Sequence, residues 1–285
     1  MNDKRSVKRV ILAPDVMMGD VKLKQPLPVG EFDQIDPFLL LHHVGPKHQI
    51  PGERSVMDIG GHPHRGFETV TFIFDGEIHH KDSRGYDQRI SGGGVQWMTA
   101  ARGIVHSEGA SKEFVEKGGN LEIIQLWINL PSSLKMNQPK YQGFQEEEIP
   151  RIIENGIRVN VISGSFRDNT GPVDSLTGVT AYTISHNDSG SVEIPIPKDQ
   201  NLLIYQLDGY VKINGINTGP NRMLAFENDG DHILLEAIEP GKLLLVAGKP
   251  INEKVVSHGP FVMNSQTEIL EAMRDYQMGK MGILI

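Results

Sequence analysis

The stretch that decides the fold is HPHRGFETVTFIFDGEIHHKDSRGYDQRISGGGVQWMTAARGIVHSE, residues 62–108. It opens with His62-Pro63-His64 and closes with His106-Ser107-Glu108. Alternate residues of an extended strand point to one face. His62 and His64 therefore project together, and Pro63 favours extended geometry at His62. His106 and Glu108 repeat the spacing. Two such pairs on neighbouring strands offer three imidazoles and one carboxylate to one point. His62, His64, His106 and Glu108 are thus the candidate metal ligands. A lone H-x-H is a weak signal, because polar residues are common on strands; two pairs joined by a Gly-punctuated strand series are a much stronger one. Imidazole and carboxylate suit Fe(II), Mn, Ni, Cu or Zn. Four protein ligands in an octahedral field leave two positions open, which points to chemistry or ligand capture rather than a closed structural site.

Within the stretch, Val70, Phe72 and Phe74 alternate with Thr71 and Ile73 as a strand. Asp75-Gly76 reads as a tight turn into a second strand, Glu77 to Asp82. His79 and His80 are neighbours on it, so at most one faces inward; both are read as structural or exposed rather than as ligands. Gly92-Gly93-Gly94 turns again, Val95 to Ala100 is the next strand, and Ala101-Arg102-Gly103 swings the chain into His106.

Composition agrees with this pattern. With 31 Gly and 17 Pro in 285 residues, the chain has the turns that many short strands need. A net charge of -8 argues against a broad nucleic-acid-binding face. The absence of Cys excludes disulfides and sulfur-ligated clusters and fits a cytoplasmic setting. The basic N-terminus has too short an apolar run for a signal peptide, and no run approaches membrane-spanning length.

Upstream, Asp36-Pro37 precedes the buried-strand pattern Phe38-Leu39-Leu40-Leu41. His42, His43 and His48 follow as loop or rim histidines, one of which could line the mouth of the site. Downstream, residues 121–130 (LEIIQLWINL) form the longest strand-like run, with Gln125 and Trp127 on one face. Glu146-Glu147-Glu148 is a solvated charge run. A boundary near Met136 to Tyr141 divides a metal-binding domain, 1–136, from a second domain, 137–285.

The second half restarts the β pattern, with YQLDGYV echoing FIFDGEI. Superposing Gly209 on Gly76 puts Pro195 and Pro197 in the places of His62 and His64. A second anchor brings His232 near the place of His106, and Leu234 then replaces Glu108. The second domain therefore reads as a degenerate copy without metal. Ser265 to Glu268 is a capping box that opens an amphipathic C-terminal helix, with Ile269, Met273 and Tyr276 at helical spacing and Gly279 at its end.

HPHRGFETVTF, GGVQWMTAARGIVHSE, QLWINLP and HGPFVMN, in that order, make the chain resemble the pirin family of the cupin superfamily. The likeness runs from Asp36-Pro37-Phe38 to the C-terminal helix. It implies an all-β fold of two cupin-type (double-stranded β-helix or jelly-roll) barrels packed together, with a C-terminal α-helix. It implies iron in the first barrel, held by His62, His64, His106 and Glu108. General cupins often use a glutamate shortly after H-x-H, here Glu68, which is left as a supporting residue. Relatives commonly carry an acidic residue after DPFLL, where this chain reads Leu41-His42; if that residue shapes the pocket entrance, substrate preference differs here.

The activity that the resemblance implies is of quercetin 2,3-dioxygenase type. In it, a flavonol ring is opened with O2 and carbon monoxide is released, with Glu108 as base and a flavonol-like aromatic and O2 as partners. The alternatives are an iron-dependent regulatory module that binds a protein partner, and a storage or stress cupin without catalysis. Neither direct nucleic-acid contact nor a membrane enters any of these readings.

Overall fold

The computed structural model describes residues 3–284. Strands dominate, in two compact units that do not divide the chain at one point. One unit gathers Lys24–Pro37 and Glu147–Pro250 together with the N-terminal stretch up to Asp15; the other gathers Val16–Leu23, Phe38–Glu146 and the chain from Ile251 onward. The expected division at 136/137 thus differs from the observed one at both termini. The reason lies in pairing. The strand Val7–Leu12 adds antiparallel to Arg222–Phe226 in the second half. The C-terminal helix, Gln266–Gln277, instead shares an apolar cluster with Val105, Phe261, Met263 and Met281.

The unit holding residues 62–108 contains two large sheets, besides the two-stranded pair Val256–His258 and Phe261–Met263. Seven strands run in the order Lys140–Phe144, Val95–Thr99, Phe67–Asp75, Gly119–Asn129, Phe38–Gln49, Val21–Leu27, Asp15–Met18. Four more run Asp58–His64, Ile104–Ala110, Glu77–Asp82, Asp87–Ser91. Phe67–Asp75 and Glu77–Asp82 therefore do not pair with each other. The chain passes from one sheet to the other at Gly76, where the sequence suggested a reversal. Gly76 has φ +85°, and a Cβ there would stand 2.7 Å from the Asn120 carbonyl oxygen. The glycine serves a corner with a close backbone approach rather than a hairpin turn.

The other unit is built on a nine-stranded sheet whose central members are Asn201–Ile213 and His232–Gly248. At Asp208-Gly209 the first of these continues through register shifts, again without reversal. Its core is apolar and includes Tyr182, Ile194, Ile196, Ile204, Leu224, Ile233, Leu235 and Leu245.

Two short helical pieces lie outside the sequence expectation, Lys112–Lys117 with Ser111 as N-cap and a single 3-10 turn at Glu146–Glu148. The C-terminal helix has the expected cap: the Ser265 hydroxyl accepts from the Glu268 N–H, and the Glu268 carboxylate accepts from Ser265 and from the Asn264 N–H. Its buried residues are Ile269 and Ala272, whereas Tyr276 is exposed. Among the described residues no helix is long and apolar enough to cross a membrane.

Candidate metal centre

Strands Asp58–His64 and Ile104–Ala110 are antiparallel neighbours, with His62 directly opposite His106. A register shift follows, so that Glu108 stands opposite Ile59. The paired strands bring His62, His64 and His106 together, while Glu108, the fourth expected ligand, lies outside that group. His62, His64 and His106 offer ring nitrogens that all lie within 4.8 Å of one another. His64, His106 and Glu108 are buried, and His62 is half-buried at the edge.

Each imidazole is aimed by its other nitrogen. A carbonyl can only accept, so His62 Nδ1–H donates to the Gly60 carbonyl at 2.8 Å, and His64 Nδ1–H donates to the Pro260 carbonyl at 3.4 Å. The Nε2 atoms of the two rings then face each other at 3.1 Å. His106 Nε2 is buried and has no hydrogen-bond partner, while its Nδ1 lies 3.4 Å from His80 Nδ1. Burial, with the neighbouring imidazole second, holds the His64 ring down to about pKa 3. Burial followed by His64, His62 and His80 depresses His106 well below the usual histidine range. Three convergent imidazoles, two of which shun protons and one of which has a ring nitrogen without a partner, fit a cation better than any arrangement of hydrogen bonds.

Glu108 stands apart from this imidazole cluster. Its Oε1 accepts from the Thr71 hydroxyl and its Oε2 accepts from Gln125 Nε2 at 2.8 Å. Each oxygen retains a lone-pair direction, so the carboxylate can still turn to a cation or take a proton. Gln125 and Trp127 do share a face, as the alternation required. The indole ring of Trp127 lies 5.4 Å from His64 and 4.4 Å from Phe67.

His42 pairs in register with Gln125 and so belongs to the same wall; it is the histidine of the 42/43/48 group nearest to lining the site. Burial holds its ring down to about pKa 4. His43 is buried and pairs with Glu122 at 3.3 Å, and His48 meets Asn120 at the surface. Glu68 is fully buried and accepts from Thr99 at 2.7 Å. By alternation it faces opposite to Thr69 and Thr71, so it is no ligand.

Two contributors were missed. Pro260 reaches His64 through its backbone carbonyl, from almost two hundred residues away, and no side-chain pattern announces that. His80 is the one of the His79/His80 pair that faces inward; it is buried, lies outside the convergent group and contacts His106, while His79 bonds Asp87 at the surface. The signal existed: Ile78, His80 and Asp82 are the buried positions of an alternating strand.

In the other unit the degenerate copy differs from the sequence superposition by one residue. Pro195 does lie opposite His232, as His62 lies opposite His106. Yet Pro195 and Pro197 are exposed, and Ile194, Ile196, Ile233 and Leu235 face the core. His232 bonds its neighbour Asp231 at 2.9 Å. Among the described residues, His62, His64 and His106 form the one group with metal-ligand geometry.

The Pirin family model matches residues 20–128, and the model of the Pirin C-terminal cupin domain matches residues 181–282. A protein of Pseudomonas aeruginosa named "putative quercetin 2,3-dioxygenase" is 37% identical over 248 residues, 86% of each chain. A pirin-like protein of Caulobacter vibrioides is 36% identical, covering 91% of this chain and 92% of its own. The crystal structure of a quercetin 2,3-dioxygenase from Acinetobacter baumannii superposes with a TM-score of 0.91 at 34% identity, over 99% of this chain and 100% of that one. With both cupin domains matched in chain order and a fold that superposes end to end, the chain belongs to the pirin family of the cupin superfamily.

Proposed function

We propose that this protein is a metal-dependent dioxygenase of quercetin 2,3-dioxygenase type, acting on a flavonol-like aromatic substrate and O2. The observation that carries the reading is the convergence of three imidazole ring nitrogens in a unit that also holds a buried, hydrogen-bonded carboxylate. The names of the relatives from Pseudomonas and Acinetobacter support the reaction class. His62, His64 and His106 hold the metal, and Glu108 completes the set. A divalent transition metal, Fe(II) first with Mn, Ni, Cu and Zn as alternatives, supplies Lewis-acid and O2 chemistry when bound.

The chain's own residues do the rest. Glu108 accepts the proton of the flavonol hydroxyl, since each of its oxygens keeps a lone-pair direction beside its bond to Thr71 or Gln125. Thr71 and Gln125 keep that carboxylate aimed when it is not bearing the proton. Trp127, backed by the fully buried Phe67, gives an aromatic wall against which a flat polyphenol stacks. The half-buried His42 stands beside Gln125 on the accessible side.

The test is anaerobic reconstitution with each metal in turn, followed by O2 uptake with a panel of flavonols. At least one metal should give uptake with stoichiometric carbon monoxide. Uptake no greater than that of the metal-free protein, with every metal and flavonol, would remove the enzymatic reading. It would leave an iron-dependent interaction module.

A further inference from the structure

We infer that Asp82 and His80 form a relay that fixes the tautomer of His106, so that its Nε2 presents a lone pair to the metal. The inference rests on the metal-site reading above and adds two residues that touch neither metal nor substrate. Strand Glu77–Asp82 pairs with Ile104–Ala110 so that Asp82 lies opposite His106 and His80 opposite Glu108. His80 and Asp82, two apart, share the inner face and are both buried.

The direction of the relay follows from the partners. Asp82 Oδ1 accepts from the backbone N–H groups of Arg84 at 2.8 Å and Tyr86 at 3.2 Å. Its Oδ2 lies 3.1 Å from His80 Nε2. A carboxylate only accepts, so His80 Nε2 carries the hydrogen. In the relay that is the one hydrogen on the His80 ring, which leaves its Nδ1 bare. That nitrogen lies 3.4 Å from His106 Nδ1, which must therefore be the donor. A neutral His106 with its hydrogen on Nδ1 has a bare Nε2, and this is the buried atom without a partner.

The opposite polarity would put the hydrogen on Nε2 and block coordination. Tyr141 locks the middle ring: its phenol stacks on His80 at 4.2 Å between centroids and 17° between planes. Burial, then Glu108 and Asp82, push the Tyr141 hydroxyl well above the usual tyrosine range, so it stays neutral beside the relay. His62 and His64 take their hydrogens to backbone carbonyls; His106 alone depends on side chains, and only there can a substitution reverse the tautomer. His80 and Asp82 are positioning residues.

The test uses the full chain with Co2+ as probe and has two readouts. In metal-free wild-type protein, two-bond 1H–15N correlation of the imidazoles should find His106 with its hydrogen on Nδ1. In Asp82→Asn and His80→Leu that preference should weaken or invert. Co2+ affinity, measured against a competing chelator, should fall by about 10- to 100-fold in both. His80→Asn should restore most of the affinity, because its side-chain oxygen can accept near the former Nδ1. Circular dichroism and melting select variants that are folded. A folded His80→Leu or Asp82→Asn protein with the wild-type tautomer and affinity would overturn the relay. So would a His80→Asn protein no better than His80→Leu. Failure of wild-type protein to bind Co2+ through His62 would instead sink the metal reading, while the tautomer would still decide the relay.

Discussion

Two rows of side chains, one in each unit, occupy the same register and differ in every member. In the unit with the histidines, His42, Gln125, Thr71 and Gln96 follow one another across four paired strands. In the other unit the row is Tyr182, Leu245, Ile204 and Leu224. Thr71 and Ile204 each stand five residues before the glycine at which the strand bends or shifts register, Gly76 or Gly209. The polar row holds Glu108 through its two middle members. The apolar row belongs to a core closed by Ile194, Ile196, Ile233 and Leu235. A cupin frame thus tolerates either filling. A polar interior costs stability unless each group is bonded, and here the bonds of Thr71 and Gln125 converge on one carboxylate. One unit spends its interior on a site, and the other on packing.

The largest expected effect is on the side with the site. His62→Ala or His106→Ala should strip the metal and abolish flavonol turnover, because two imidazoles cannot replace three. His79→Ala, which loses only a surface bond to Asp87, should keep wild-type metal content. Metal analysis beside initial rates checks both; a His106→Ala protein with full metal would separate the histidine cluster from the function.

Glu108→Gln comes next. The amide oxygen can still coordinate weakly, so appreciable metal should remain. Turnover should fall by about 10²–10⁴-fold, the usual worth of a positioned base. A variant that keeps both its metal and the wild-type rate would remove the base role.

Exchanging members of the two rows gives a smaller effect of opposite kind. Leu245→Gln buries an amide with no partner and should cost about 1–3 kcal/mol in denaturant unfolding. Gln125→Leu should show itself in turnover, since Glu108 loses a donor while the imidazoles are untouched. Equal stability of Leu245→Gln and wild type would mean that the second interior is less closed than its packing indicates.

The smallest effect is on pH dependence. Burial holds His42 down to about 4 in the folded chain, against about 6.5 when unfolded. A depressed pKa means that the unfolded chain binds the proton first. The stability of the metal-free protein should therefore be present above about pH 6.5 and fall as pH drops towards 4. His42→Asn should flatten that part of the profile of melting temperature against pH. An unchanged profile would remove His42 from the buried wall.

The histidine cluster was legible because a strand has a period of two and His62/His64 and His106/Glu108 obey it. The family was legible because its motifs stand in order along the chain. What stayed hidden follows from physics that spacing does not encode. Adjacent His79 and His80 do not by themselves reveal which parity faces in; the alternation with Ile78 and Asp82 does, and pairing with the His106 strand fixes it. Asp75-Gly76 says that a positive φ is needed, not whether the chain reverses or turns a corner into another sheet. The one-residue offset at Pro195 arises because proline and histidine places were matched by distance from a glycine, while the core selects Ile194 and Ile196. Segment exchange between the units is a matter of long-range pairing, invisible to local pattern.

The central claim is that one unit carries a metal and the other does not. Anaerobic loading of the purified protein with Fe(II), removal of excess metal and counting by atomic emission test it most directly, with wild type, His106→Ala and His232→Ala side by side. The account predicts about one equivalent in wild type and in His232→Ala, and nearly none in His106→Ala. Two equivalents in wild type, with one lost on His232→Ala, would contradict it.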